Sequence, residues 1–275
     1  MKVREALAAA ASRLNGTSDT PRLDAELLMA HALGVERDAM LLHRQQNEAP
    51  ASFQGLVERR LAHEPVAYIT GRRAFWTIEL EVGPGVLVPR PDSETLIEAA
   101  LAAFRDAAPA TLLDLGTGPG TLLLAALAQW PGARGVGVDR SAEALAFARR
   151  NAQRLGMSDR ASFVRGDWTA CLDSRFDLIL CNPPYVEDGA QLPAEVARWE
   201  PAQALYAGTD GLDAFRRLAP KLPPRLAPGG LACVEIGAGQ AAAAAEIFAA
   251  AGFTVGMRND LNGIPRCLIL TLDRG

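Results

Sequence analysis

The chain is poor in the side chains that most often hold transition metals. It has three histidines, all between residues 31 and 63, and four cysteines that lie far apart and form no Cys-x-x-Cys pair. A zinc site needs clustered ligands, and the histidines fall at helical positions where surface or packing roles are expected. Three cysteines lie in apolar runs typical of strands, so we expect buried free thiols at Cys181, Cys233 and Cys267. We therefore predict no metal site.

Long apolar runs and an excess of positive charge are also missing. The chain has no uninterrupted apolar stretch of the roughly 18 residues that a membrane-spanning helix needs. The formal net charge of −4 argues against a dedicated nucleic-acid binder, which usually carries a basic stripe. Arg4, Glu5 and Arg13 interrupt the alanines near the start, which indicates an amphipathic helix and not a signal peptide. A cytoplasmic protein that binds neither membrane nor nucleic acid is expected.

Residues 1–73 are predicted to form a small, all-helical domain. Apolar residues have helical spacing from Val3 to Leu14. Thr20-Pro21 is typical of an N-cap followed by a first-turn proline, and Gly34 is expected to end that second helix. A further helix is predicted over residues 52–63.

Residues 74–90 are predicted to form a β-hairpin that links two domains. Polar and apolar side chains alternate over residues 75–82, which is the period of a strand. Gly83-Pro84-Gly85 breaks this pattern, and residues 86–88 follow as the second strand. A helix is then expected from Pro91 to Phe104.

From residue 111 onward, strand-like and helix-like runs alternate. Strands are predicted at 111–115, 134–139, 161–166, 177–181, 230–236, 253–258 and 266–272, and helices at 121–130, 141–155, 211–226 and 239–251. This alternation is the signature of a parallel sheet with helices on both faces. The predicted fold class is therefore α/β, with a doubly wound, Rossmann-like sheet in a second domain over residues 91–275.

A glycine-rich turn follows the first strand of this sheet. Gly116-Thr117-Gly118-Pro119-Gly120 leads from the strand into a helix. Glycines at this place let the backbone approach a bound cofactor, and N–H groups at the start of the helix point toward it. By itself the loop indicates only some nucleotide-like ligand. Its G-x-G-x-G spacing, in place of the dinucleotide G-x-G-x-x-G, favours S-adenosylmethionine.

Asp139 and Trp168 follow the next two strands and complete the predicted cofactor site. An acidic residue about 20 positions beyond such a loop can bind both hydroxyls of a ribose. The alternative for Asp139 is a helix cap, with Ser141 nearby. Asp167-Trp168 lies where an adenine would bind, although Trp168 could equally be a half-buried packing residue.

Asn182-Pro183-Pro184-Tyr185 comes directly after the fourth strand and is the most informative motif of the chain. Each proline lacks an N–H and biases the preceding residue toward extended geometry, so the corner is stiff and its carbonyls remain free. It suits a planar –NH2 group, because the Asn182 side-chain oxygen can accept one hydrogen and the Pro183 carbonyl the other, beside the Tyr185 ring. We predict Asn182, Pro183 and Tyr185 as catalytic, the same residues with Pro184 as substrate-binding, and Asn182 also beside the cofactor's methyl group. A plain proline-rich turn is the alternative, which the other motifs disfavour.

With these motifs in place, the chain resembles the glutamine N5-methyltransferases that modify peptide chain release factors. The resemblance covers nearly the whole length. The Asn-Pro-Pro-Tyr motif is shared with DNA adenine and other amino methyltransferases, so the interdomain segment carries the specificity. The similar stretches are residues 65–71, 75–76 and 86–94 of that segment, the central motifs at 114–118 and 182–185, and the loops at 200–212 and 260–266.

The resemblance implies transfer of a methyl group from S-adenosylmethionine to the glutamine side-chain nitrogen of a release factor's Gly-Gly-Gln tip. It implies a helical domain that docks the protein substrate. We also expect a methyltransferase sheet whose last strand is antiparallel, and a monomer. Pro119 departs from the Ser or Thr common in the family and removes one N–H from the loop. We expect the other loop amides to suffice for cofactor binding.

Three alternatives to this activity stay open. A glutamine methyltransferase acting on a ribosomal protein would share every motif. A methyltransferase acting on exocyclic amines of DNA or RNA would share residues 182–185 but should carry a basic groove, which the acidic balance disfavours. A non-enzymatic S-adenosylmethionine sensor would not need Asn182.

Overall fold

The computed structural model describes residues 1–105 and 107–272 and divides into two compact units. The first, the helical unit, comprises Met1–Arg72, Val82–Pro84 and Leu192–Glu200. The second, the sheet unit, comprises Arg73–Glu81, Gly85–Gln191 and Pro201–Gly275. No helix within the described ranges has both the length and the apolar character needed to cross a membrane.

The helical unit packs six helices from two distant parts of the chain. They are α1 Val3–Leu14, α2 Pro21–Leu33, α3 Arg37–His43, α4 Ser52–Leu61, α5 Val66–Thr70 and α9 Ala194–Trp199. The first five share a core that includes Leu7, Leu28, Met40 and Phe53. Gly34 ends α2 in the left-handed region at φ 64°, as predicted. Helices α3, α5 and α9 were not predicted, because five to seven residues are too few to display a helical period.

A seven-stranded sheet forms the centre of the sheet unit, with strand order β5-β4-β3-β6-β7-β9-β8. The strands are β3 Thr111–Leu115, β4 Arg134–Asp139, β5 Ala161–Arg165, β6 Phe176–Cys181, β7 Leu226–Glu235, β8 Thr254–Asn259 and β9 Pro265–Thr271. The helices of this unit are α6 Glu94–Phe104, which precedes β3, and α7 Thr121–Gln129, α8 Ala142–Arg154, α10 Asp213–Leu218 and α11 Ala241–Ala250, which follow it. All neighbouring strands are parallel except that β9 is antiparallel to both β7 and β8. This confirms the predicted fold class.

The order of the strands reverses at β3, because the chain adds β4 and β5 on one side of it and then β6 and β7 on the other. Strand β3 pairs with β4 on one side and with β6 on the other. In open α/β sheets, ligands bind beyond the carboxyl ends of the strands at this switch point. The predicted thiols lie in the same sheet, where Cys181, Cys233 and Cys267 are buried and unpaired, whereas Cys171 is exposed.

The predicted position of the hairpin was wrong. Its strands are β1 Arg72–Phe75 and β2 Ile78–Glu81, and residues 86–88 form no strand. The chain reverses at Trp76, whose φ of 55° lies in the left-handed region. The Glu94 carboxylate accepts the Trp76 amide at 2.8 Å, and Gln129 accepts its indole N–H at 3.3 Å. Tertiary partners thus stabilise a turn that the alternating pattern conceals.

The predicted helix over 211–226 is also much shorter in the structure. Helix α10 spans Asp213–Leu218 and is followed by short 3-10 turns at Ala219–Lys221 and Pro223–Arg225. Three prolines between residues 220 and 224 lack the N–H that an α-helix needs, so the helix cannot continue through them.

Candidate active site

The loops after β3, β4, β5 and β6 line a cavity that is partly open and holds about 740 Å³ of space, including solvent at its mouth. The cavity brings together the predicted residues Gly116, Gly118, Asp139, Trp168 and Asn182. These residues are far apart in the sequence, and the common edge of the parallel strands is what joins them.

A second cavity, of about 380 Å³, adjoins the first. The two share Leu87, Gly116, Gly118 and Asn182, so Asn182 lies where they meet. The other predicted loop residues, Thr117 and Pro119, line the smaller cavity. Gly120 lines neither: it precedes α7 at φ 90°, and a Cβ there would lie 2.8 Å from Leu124.

The amides of the glycine loop donate to groups inside the protein, and the expectation that they suffice for cofactor binding stays a prediction. Gly116 and Thr117 donate to the Val138 carbonyl at 2.8 and 3.0 Å, and Gly118 donates to Asp139 at 2.9 Å. Gly120 donates to the Thr117 carbonyl at 2.9 Å. These loop N–H groups therefore already have acceptors in the protein, and what the loop provides is space for a ligand to approach the main chain closely. Gly118 has φ 56° and no atom within 4 Å of the place where a Cβ would be, which leaves open space beside it.

Asp139 connects this loop to the following helix. Its Oδ2 accepts from the Gly118 amide at 2.9 Å and its Oδ1 from the Ser141 amide at 2.8 Å. Ser141 is itself the N-cap of α8, because its hydroxyl accepts from the Ala144 amide at 3.1 Å. Each carboxylate oxygen has a further lone pair, so Asp139 can still accept from hydroxyl groups in the cavity.

Asp114 is a buried acid of the site that the sequence analysis placed in a motif without giving it a role. It is 1% exposed, and its Oδ2 accepts from the Thr117 hydroxyl at 2.6 Å and the Leu123 amide at 3.1 Å. Burial raises its pKa to about 7, against the effect of these two hydrogen bonds. Its Oδ1 has no partner within the described residues. An acid in an otherwise apolar strand was the signal available in the sequence.

Trp168 forms a wall of the larger cavity and also packs against the core of the sheet unit. Its φ of 54° lies in the left-handed region, a conformation that a bulky residue rarely adopts. Its buried indole N–H has no partner within the described residues. The two roles considered for Trp168, in packing and as a cavity wall, are therefore compatible in this geometry.

The Asn182 corner leaves two acceptors unused. The side-chain nitrogen Nδ2 donates to the Ser93 hydroxyl at 3.0 Å. Within the described residues, the structure records no hydrogen bond to Asn182 Oδ1 or to the Pro183 carbonyl. The corner thus has the two acceptors predicted for a planar –NH2 group, and Pro184 lines the larger cavity beside it.

Tyr185 is held by a buried acid that the sequence analysis did not single out. Its hydroxyl donates to Glu235 Oε1 at 3.0 Å, and the Ser93 hydroxyl donates to Glu235 Oε2 at 2.5 Å. Glu235 is 0% exposed at the end of β7, and burial raises its pKa to about 7 despite these hydrogen bonds. Burial, together with Glu235, also raises the pKa of the Tyr185 phenol, which stays protonated.

The main chain behind Tyr185 is fixed as well. Gln240 donates to the Tyr185 carbonyl at 2.9 Å and accepts from the Gly237 amide at 3.0 Å. A Cβ on Gly211, which has φ 69°, would lie 2.4 Å from the Tyr185 carbonyl oxygen, so this approach requires glycine.

Comparison with known proteins agrees with this geometry. Residues 5–71 match the model of the PrmC N-terminal domain, and residues 108–220 match a methyltransferase domain. The methyltransferase of Pyrococcus furiosus has the same fold: the TM-score is 0.54 at 19% identity, over 80% of this chain and 98% of that one.

Relatives of similar length share much more of the sequence. The chain is 45% identical over 257 residues to the release factor glutamine methyltransferase of Rhodospirillum rubrum, covering 91% of this chain and 79% of the relative. It is 44% identical over 257 residues to that of Caulobacter vibrioides, covering 91% and 89%. The resemblance drawn from the motifs is thereby confirmed, and the chain belongs to the release factor glutamine methyltransferase family.

Proposed function

We propose that this chain methylates the side-chain nitrogen (N5) of the glutamine in the Gly-Gly-Gln tip of peptide chain release factors, with S-adenosylmethionine as the methyl donor. Membership of the family supports the reaction and the substrate. The observation that carries the proposal is the Asn182 corner, which offers two unused acceptors where two cavities meet. These acceptors match the two hydrogens of a primary amide.

The residues of the corner are proposed to compensate for the weak nucleophilicity of the substrate nitrogen. An amide nitrogen is a poor nucleophile, because its lone pair is delocalised into the carbonyl. Asn182 Oδ1 and the Pro183 carbonyl would fix the nitrogen in one orientation, and positioning of this kind can supply up to roughly 7–11 kcal/mol of a barrier. Both dipoles would also stabilise positive charge that develops on the nitrogen. A nitrogen charged in this way loses its proton readily, so the site needs no strong base.

S-adenosylmethionine, when bound, supplies an electrophilic methyl group on a sulfonium. Asp139 is proposed to accept from ribose hydroxyls, Trp168 to cover an adenine, and Gly116 and Gly118 to let the ligand approach the main chain; all four line the larger cavity. Two buried polar atoms without partners in the described chain, Asp114 Oδ1 and Trp168 Nε1, support a polar ligand in this region.

Asp139→Ala should weaken binding of S-adenosylmethionine by about 10–100-fold, the equivalent of losing hydrogen bonds to a charged group. It removes the ribose acceptor and also releases the Gly118 amide. Turnover at saturating cofactor should change less, because this contact is equal in the ground and transition states. Calorimetry measures the affinity, with Asp139→Asn as the isosteric control expected to lose less. Unchanged affinity in Asp139→Ala would mean that Asp139 only orders the loop and the start of α8.

The helical unit is the proposed docking surface for the protein substrate, and the chain is proposed to act as a monomer. Support comes from its separate core and from the match of residues 5–71 to a domain of this family. Protein recognition typically buries about 800 Å² per partner, more than the corner itself provides.

Transfer of labelled methyl groups to four substrates tests the proposal: intact release factor, a short Gly-Gly-Gln peptide, ribosomal proteins and DNA. Intact release factor should be methylated at the glutamine, and the peptide should lose at least about 100-fold in kcat/KM, with kcat reduced as well as KM raised. The peptide lacks the contacts with the docking surface, so it loses the binding energy that positions the reacting group. Preferential labelling of ribosomal protein or DNA would contradict the proposal, and equal kcat/KM for peptide and release factor would refute the docking surface.

A further inference from the structure

We propose that Glu235 is a positioning residue of this site, acting on the Asn182 side chain through Ser93 and on the Tyr185 ring directly. The three contacts form one chain, in which Asn182 donates to Ser93 at 3.0 Å, Ser93 to Glu235 at 2.5 Å, and Tyr185 to Glu235 at 3.0 Å. The inference rests on the proposed function, because the orientation of Asn182 matters only if its oxygen meets a substrate amide.

The direction of these hydrogen bonds decides which end of the Asn182 amide faces the substrate. A serine hydroxyl has one hydrogen, and ionised Glu235 can only accept. The Ser93 hydrogen therefore points to Glu235, and toward Asn182 the Ser93 oxygen can only accept. The atom beside Ser93 must be Asn182 Nδ2, which leaves Oδ1 for the substrate.

Without this constraint, a half-turn of the Asn182 side chain would exchange its oxygen and nitrogen. The corner would then present N–H donors to the N–H donors of a glutamine amide, and no hydrogen bond could form between them. Glu235 thus selects one of two orientations of the Asn182 side-chain amide. The two occupy nearly the same volume but exchange the hydrogen-bond donor and acceptor.

The burial of these hydrogen-bonded side chains supports the positioning role. Ser93 is 2% and Glu235 0% exposed, and a buried carboxylate is costly unless its oxygens are well satisfied. Glu235 is ionised above its pKa of about 7: burial, the largest effect, and Asp92 raise this pKa, whereas Arg266, which pairs with Asp92 at 3.2 Å and Asp260 at 3.3 Å, lowers it. Each oxygen of Glu235 then receives one donor, from Ser93 or from Tyr185.

Ser93→Ala in the full-length protein tests the first arm. It should lower kcat about tenfold, the rate equivalent of roughly one hydrogen bond, with little change in the affinity for S-adenosylmethionine. Ser93→Thr keeps the hydroxyl and should restore most of kcat. In an Asn182→Ala background, Ser93→Ala should cause no further loss, because its effect passes through the Asn182 side chain.

Glu235→Gln tests the second arm at nearly constant volume. A glutamine has one acceptor oxygen for two donors, so either Ser93 or Tyr185 loses its partner and kcat should again fall about tenfold. Thermal unfolding identifies a variant that simply fails to fold. In that case the Ser93 variants decide the question.

Two results would overturn the inference: a Ser93→Ala enzyme as fast as the native one, or a tenfold loss that persists in the Asn182→Ala background. Failure of the proposed function looks different, because the native enzyme would then label no release factor at all. The side-chain amide signal of Asn182 in nitrogen-15 NMR gives a readout without activity. It should be sharp in the native protein and broadened by exchange in Ser93→Ala; identical sharp signals in both would overturn the inference.

Discussion

Asn182→Ala is expected to lower kcat on release factor by about 10²–10³, which is the usual cost of removing one dipole aimed at developing charge. The substitution deletes the Oδ1 acceptor, while the Pro183 carbonyl remains. The substrate amide would then be held by one hydrogen bond and could rotate about it. Because Asn182 lies where the two cavities meet, its loss should affect the reacting nitrogen more than the cofactor.

Calorimetry with S-adenosylmethionine and single-turnover kinetics separate these two contributions. Cofactor affinity should stay within a few-fold of the native value, and the single-turnover rate should fall by as much as kcat does. Lost cofactor binding with unaffected turnover at saturation would place Asn182 in the cofactor site alone and contradict the proposed role.

Arg60→Met is expected to lower the stability of the helical unit by about 3–5 kcal/mol, the cost of removing one partner from a buried ion pair. The Arg60 side chain is 5% exposed and pairs with Asp24 and Glu195, both at 2.7 Å. Methionine keeps much of the volume but leaves the buried Asp24 carboxylate without its cation. Hydrogen exchange of amides in α2 and α4 measures the loss.

Two matched variants identify the cause of that loss. Arg60→Lys keeps the charge but not the planar fork that reaches Asp24 and Glu195 together, so it should fall between native and Arg60→Met. Adding Asp24→Asn to Arg60→Met removes the unpaired charge and should recover part of the stability. If the double variant is no more stable than Arg60→Met, the destabilisation comes from packing and not from the buried charge.

The local parts of the site could be predicted from the sequence, and the long-range parts could not. Gly116, Gly118 and Asn182 follow strands, and the alternation of strands and helices places the ends of parallel strands at one edge of the sheet. The bond from Ser93 to Glu235 joins residues 142 positions apart, and no pattern in a single sequence indicates such a pair.

The position of the hairpin turn and the internal hydrogen bonds of the glycine loop could not be predicted, for a related reason. Trp76 turns the chain because Glu94 and Gln129 bind its two N–H groups, while its neighbours keep the period of a strand. The loop amides of Gly116 and Gly118 are occupied by Val138 and Asp139, which belong to the next strand. In both cases tertiary hydrogen bonds decide what the local sequence leaves open.

The pairing of β3 with β6 sets the spacing between the two halves of the site. Leu115 lies opposite Cys181 in this ladder, and the next residues are Gly116 of the glycine loop and Asn182 of the corner. A Cβ on Gly116 would lie 3.7 Å from the Asn182 carbonyl oxygen. Slippage by one residue would turn every side chain of a strand to the other face, so the register is strongly fixed. The register of the sheet therefore fixes the distance between the glycine loop and the Asn182 corner. The outer loops can change in length or sequence to suit a substrate without altering that distance.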